Sequence, residues 1–258
     1  MPSLDIRGKI AAAEIGFYVP IAVLTALLVF RYAFRRDAGW FFLCIFSMVR
    51  IAGSALLLAG QLQEKADLLI ASLVIDSAGV AALLLSALGF IGMAGQHTYS
   101  ENSRITTLLR FIGIATLAAL GLVIAGGILN ARPAQQNTGL ILRRAGASLF
   151  AGVYVCLFLT HIGTWSYRWH LRSYRRNLLF GICMALPFLG VRIAYSILAA
   201  WSSSDLFGAQ PSSNPTLAKL NPVTGTWVLY LVLSLIMEFV VACLYLFSST
   251  VLARRHRH

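Results

Sequence analysis

Long apolar runs alternate with short polar, mostly basic segments along the whole chain, and the runs outlast both buried strands and ordinary core helices. A lipid core about 30 Å thick offers no partner for an unpaired backbone group, so each crossing needs about 20 apolar residues wound into a helix. Seven runs reach that length: residues 10–30, 40–60, 68–94, 105–129, 145–165, 177–200 and 226–248. The pattern predicts an all-α, polytopic bundle of seven transmembrane helices forming one membrane domain over 1–258. Gly121, Gly126 and Gly127 fall inside the fourth run, where small residues act as helix contact points and not as breaks.

Composition strengthens the reading. Of 258 residues, 59% are hydrophobic and 12% charged, and the mean hydropathy is +0.78, which leaves too few polar side chains to cover a water-facing surface. The formal charge of +12 sits largely in the connections, where Lys and Arg orient helices against anionic head groups. No groove-reading or RNA-reading motif accompanies it, so nucleic acid is not expected as a partner, whereas membrane lipid is. Cys44, Cys156, Cys183 and Cys243 all lie in apolar runs and give neither metal spacing nor a disulfide framework. Met1 to Lys9 is polar and mixed in charge, unlike a cleaved signal peptide.

Twelve Lys and Arg fall on one side of the predicted membrane, Arg31, Arg35, Arg36, Arg104, Arg110, Arg168, Arg172, Arg175, Arg176, Arg254, Arg255 and Arg257. Seven fall on the other, Arg7, Lys9, Lys65, Arg132, Arg143, Arg144 and Lys219. The excess of positive charge inside then puts the N-terminus outside or lumenal and a basic tail, 249–258, in the cytosol, with either the plasma membrane or an endomembrane as host. His256 and His258 read as part of that lipid anchor. The long connection 201–225, rich in Ser, Pro and Asn, reads as a solvated outer linker, with a flexible cover over a cavity as the alternative, and Pro215 after Asn214 removes it as a glycosylation acceptor.

Three segments recur in order. Gly16-Phe17-Tyr18-Val19 matches Gly152-Val153-Tyr154-Val155, Val49 to Ser54 matches Val191 to Ser196, and Ser72 to Asp76 matches Ser234 to Glu238. Matched segments enter the membrane from the same side, which implies a parallel duplication: repeat one over 10–94, a linker helix at 105–129 and repeat two over 145–248.

An ionisable residue deep in a span costs about 2.5 to 3.5 kcal/mol on the insertion scale, so it faces the bundle interior with a partner. Arg50 and Arg192 are such residues. Asp76 and Glu238 lie eight and twelve residues from the outer ends of their spans, about 12 and about 18 Å at helical rise, and Glu14 is one turn into the first span. All five point to one polar chamber opening outward. Ser54 and Ser196 follow their arginines by four, and Ser72 and Ser234 precede their acids by four, so each charge has a hydroxyl one turn away. Arg50 with Asp76, and Arg192 with Glu238, are the expected pairs. They serve either to fix helix register or, beyond that, to hold a ligand head group or move protons, and these roles stay open at this point.

Other features read blandly. His161 is a core histidine, Pro20 and Pro187 mark kinks, and Tyr99, Trp40, Trp165, Trp169, Trp201 and Trp227 form aromatic belts. No span contains Lys, which excludes a retinal Schiff base, and no nucleotide loop, histidine box or nucleophile elbow is present. No cofactor is expected.

Over Glu14 to Tyr18, Arg50 to Ser54 and Arg192 to Ser196 the chain resembles fungal seven-span integral membrane proteins of unassigned function, neighbours of lipid-translocating-exporter-like and receptor-like families. Its helix plan also resembles the three-plus-one-plus-three plan of sugar exporters and opsin-like receptors, without the exporters' Pro-Gln signature. The expected function is therefore to bind, carry or sense a small amphipathic or anionic molecule, with Glu14, Tyr18, Arg50, Ser54, Asp76, Arg192, Ser196 and Glu238 as the ligand set. The alternative is a membrane-embedded enzyme on a lipid or isoprenoid substrate, resembling fungal terpene cyclases, with Asp76 or Glu238 as general acid. That role requires a carboxyl that keeps its proton, and an adjacent guanidinium works against this.

Overall fold

The computed structural model describes residues 5–32, 38–95, 103–171, 173–205, 208 and 210–255. Each apolar run is a helix: α1 (Ile6–Tyr32), α2 (Ala38–Gln63), α3 (Ala66–Ala94), α4 (Ser103–Asn130), α5 (Gln136–Trp165) and α6 (Ser173–Trp201). The last, α7, runs as an α turn (Trp227–Tyr230), a π segment (Leu231–Ile236) and an α-helix (Met237–Arg255). All seven are long and apolar enough to cross a bilayer, which makes the molecule an all-α seven-helix membrane bundle. Arg35, Arg36, Tyr99, Arg172, His256, Arg257 and His258 lie outside the described residues.

Helices α2 and α3, and α4 and α5, form tight antiparallel hairpins; α1 lies along α2, and α7 along α6. Helices α3 and α6 are the most enclosed and touch each other across the centre. Trp40, Leu43, Phe46, Leu83, Phe90, Leu178, Leu189 and Tyr245 fill the core there. Outward faces carry Phe30, Phe111, Ile114 and Phe247, all strongly exposed, as lipid-facing positions should be.

Close packing, against backbone at Gly126 and against a side chain at Gly127, explains two of the three glycines singled out in α4. A Cβ on Gly126 would strike the Arg143 backbone at 2.5 Å, and one on Gly127 would meet Val74 at 2.7 Å. Gly121, in contrast, faces open space and makes no such contact. On α5, a Cβ at Gly139 would collide with the Asn130 backbone, so the α4–α5 hairpin needs hydrogen atoms on both sides of its crossing.

Two expectations are corrected. Helix α5 begins at Gln136, nine residues before its apolar run, so Arg143 and Arg144 are helical and not loop residues. Nor is 201–225 merely a solvated linker. Ser202, Ser203 and Asn221 are buried, Ser203 bridges to Pro211, and a helical turn spans Pro215–Ala218. The Asn221 side chain organises the segment, donating to Ser203 Oγ at 2.9 Å and accepting from the Val223 and Thr224 amides at 2.7 and 3.1 Å. This is an Asx-type turn, which the Asn221-Pro222 dipeptide signals in the sequence. Asn130 Nδ2 donates to the Ser204 carbonyl (3.3 Å), Arg143 Nη2 to Ala199 (3.1 Å) and Arg7 Nη2 to Gly225 (3.0 Å), which fastens the loop and its approaches to α1, α4 and α5.

Candidate functional site

A cavity of about 290 Å³ lies at the bundle end that carries Asp5 and the 201–225 loop. Its walls are mostly apolar, with Leu57, Leu69, Val74, Val123, Ala147 and Phe150 drawn from α2 to α5, while Pro222 and Val223 of the loop lie across it. Its floor is ionic.

Helix α2 delivers Arg50 at its middle and α6 delivers Arg192 in its second half, both about 3% exposed. Arg50 Nη1 donates to Asp76 Oδ1 and Nη2 to Glu238 Oε2; Nη1 also lies 3.3 Å from Glu14 Oε1. Arg192 donates Nε to Glu238 Oε1 at 2.5 Å, Nη2 to Asp76 Oδ2 at 3.4 Å and Nη1 to Ser196 Oγ at 2.5 Å. The expected pairs are both present, but they are crossed into a single network in which Asp76 and Glu238 each accept from both arginines. Four helices, α2, α3, α6 and α7, are thereby pinned at one point, with Glu14 of α1 adjoining. The π segment Leu231–Ile236 ends two residues before Glu238 and shifts its register, the kind of helix defect that recurs at functional sites.

The hydroxyls follow the helical-spacing expectation only in part. Ser196 accepts from Arg192 Nη1 and donates back to the Arg192 carbonyl at 3.1 Å. Ser54 lines the cavity beside Glu14. Ser72 instead donates to the Leu69 carbonyl of its own helix at 2.8 Å, and Ser234 Oγ is buried with no hydrogen-bond partner among the described residues. A serine one turn from a charge shares its helix face, yet its hydroxyl competes for the local carbonyl. Tyr18, one turn from Glu14, is fully buried between Phe46 and Phe239 at 5.5 and 6.1 Å and stands behind the floor, outside the cavity lining.

Spacing arguments missed several lining residues. Arg7, Gln61, Arg143, Tyr195 and Tyr230 all face the cavity. Arg143 was hidden by placing the helix start at the apolar edge, while Tyr195, three residues after Arg192, was legible as part of the same face. His161 takes no part: it packs on Trp165 at 5.9 Å, and neither ring nitrogen has a hydrogen-bond partner among the described residues.

Seven spans around a buried ionic network define a multi-pass integral membrane protein. The chain belongs to the family described as a domain of unknown function, DUF7702, whose family model matches residues 4–255. No curated protein and no solved structure matches it.

Proposed function

We propose that the protein binds a small amphipathic molecule in this chamber, as a carrier or sensor, with the chamber open to the outer or lumenal side of a plasma membrane or endomembrane. The carrying observation is a cavity with apolar walls and an ionic floor, partly covered by a structured loop: an amphiphile needs both surfaces together. Arg50 and Arg192 already have their carboxylates, so the charge of the floor guanidiniums is met within the floor, although Arg50 Nε and the wall residue Arg143 keep an unmet N–H among the described residues. That favours the amphipathic form of the reading over the anionic one.

The parallel duplication read from the sequence belongs to the same proposal. Arg50 with Arg192, and Asp76 with Glu238, occupy matching positions and meet in one network, as a site between related halves would require. Kinship with fungal seven-span transport-like and receptor-like proteins belongs to this proposal too. Acid catalysis by Asp76 or Glu238 gains no support, since each is shared between two guanidiniums.

Gly53 lines the cavity, and a Cβ there meets only Ile75 at 3.4 Å and the Ser72 carbonyl at 4.0 Å, so Gly53→Leu grows a side chain into the chamber without breaking the network. Native mass spectrometry of the purified protein should find a small molecule bound to the wild type and absent from Gly53→Leu. A wild type that carries nothing from its own membrane, even under gentle release, would count against a ligand chamber.

A further inference from the structure

The floor contains three carboxylates and two guanidiniums, and the unmatched acid is identifiable. Asp76 and Glu238 each accept from both arginines. Glu14 has the 3.3 Å approach of Arg50 Nη1, which also donates to Asp76, and the neutral hydroxyl of Ser54, and no guanidinium of its own. Its Oε1 accepts no hydrogen bond among the described residues, although the side chain is 5% exposed and lines the cavity. Facing this corner are Arg50 and Ser54 of α2, Asp76 of α3, Arg192 and Tyr195 of α6, Tyr230 and Glu238 of α7, and Tyr18 on α1 itself. The other cations of the lining, Arg7 and Arg143, donate to the Gly225 and Ala199 carbonyls. The corner is one positive charge short.

A carboxylate without compensation is too costly to keep in such a place, so it is neutralised by a proton or by a cation. The unmet groups favour a cationic ligand. Glu14 Oε1, Gln61 Oε1 and Tyr195 Oη all line the cavity without a hydrogen-bond partner among the described residues, and an alkylammonium is a donor with no acceptor. Against this, Arg143 Nη1 on the α5 wall and Arg50 Nε on the floor are unmet donors among the described residues, which makes an anionic head group the competing occupant; Arg50 is already matched in charge by Asp76 and Glu238.

We infer that the chamber takes an amphipathic amine, whose ammonium sits against Glu14 in exchange for the proton that Glu14 carries when the chamber is empty; this rests on the ligand-chamber reading above. In the exchange the Glu14 O–H bond breaks and its proton leaves to water, while the ammonium brings in one positive charge. The charge of the floor is zero before and after, and no electron is transferred.

The test uses the full chain in phosphatidylcholine nanodiscs at neutral pH with three water-soluble probes of equal chain length: hexylammonium, hexanoate and hexanol. Thermal shift reports binding, and titration calorimetry in buffers of different ionisation enthalpy counts protons. Hexylammonium should raise the melting temperature most and release about one proton per amine bound. Glu14→Gln, a neutral isostere of the protonated acid, should fold with an unchanged melting temperature, bind hexylammonium at least about tenfold more weakly and release no proton. Glu14→Asp should keep the release. Hexanoate binding as tightly as the amine and lost in Arg143→Gln would overturn the inference and leave the chamber reading intact. Amine binding with no proton released, or unaffected by Glu14→Gln, overturns it as well. If none of the three probes binds, the chamber reading fails first.

Discussion

Arg192 donates Nε to Glu238 Oε1 at 2.5 Å while Glu238 is wholly shielded and its second oxygen takes Arg50, so one carboxylate holds two helices' buried charges together. Removing a single partner from such a set strands the others in low dielectric, at about 3 to 5 kcal/mol. Glu238→Gln should therefore lower stability by about that amount, read by thermal or denaturant unfolding in detergent. Asp76 is 27% exposed and partly solvated, so Asp76→Asn should cost less, roughly 1 to 3 kcal/mol. Equal losses in the two variants would mean that the network is not anchored at Glu238.

Much of this arrangement is legible in the amino-acid sequence. Lipid demands a fixed helix length, which is why seven apolar runs became seven helices, and a charge inside a span must meet a partner, which is why Arg50, Arg192, Asp76 and Glu238 came together. What spacing along single helices does not carry is the crossing between pairs, since that depends on how α2, α3, α6 and α7 rotate against one another. The π segment that sets Glu238 in place has no periodic signature. Ser72 and Ser234 depart from the expectation because helical spacing locates a hydroxyl without fixing which acceptor it chooses. Loop 201–225 was read by composition, which overlooked the turn built on Asn221.

The α2–α3 connection offers a stabilising change. Glu64 closes α2 with φ of 53°, and the Lys65 amide donates to the Gly60 carbonyl at 3.1 Å, a helix stop that favours glycine in the left-handed position. A side chain there costs roughly 1 to 2 kcal/mol. Glu64→Gly should raise stability by about 1 kcal/mol in the same unfolding assay.

Asn221 uses its side chain for three hydrogen bonds that shape the loop over the cavity. Asn221→Ala removes all three and leaves the half-buried Val223 amide without its acceptor, at about 1 to 3 kcal/mol, while Ser203 keeps its bond to the Asp205 carbonyl. Limited proteolysis should then cut within 201–225 much faster than in the wild type, while the helices stay protected. Unchanged cleavage would show that the loop is held by its contacts to α1, α4 and α5 instead.

The α4–α5 hairpin is closed by small residues, and Gly139 faces the Asn130 backbone with no room for a Cβ. Gly139→Val should therefore splay these helices and cost roughly 1 to 3 kcal/mol. Gly121→Val, at a position with open space, should leave the same unfolding curve nearly unmoved.

The most direct test asks whether water reaches the ionic floor. In a background with Cys44, Cys156, Cys183 and Cys243 replaced by alanine, Ser54→Cys and Ser196→Cys place thiols on the cavity lining, and Leu117→Cys places one on an outward apolar face. A membrane-impermeant, charged thiosulfonate should label the first two and spare the third, with Gly53→Leu slowing the reaction at residue 54. Labelling of the Leu117 position alone, or of none of the three while denatured protein reacts fully, would contradict a chamber that carries water down to Arg50 and Arg192.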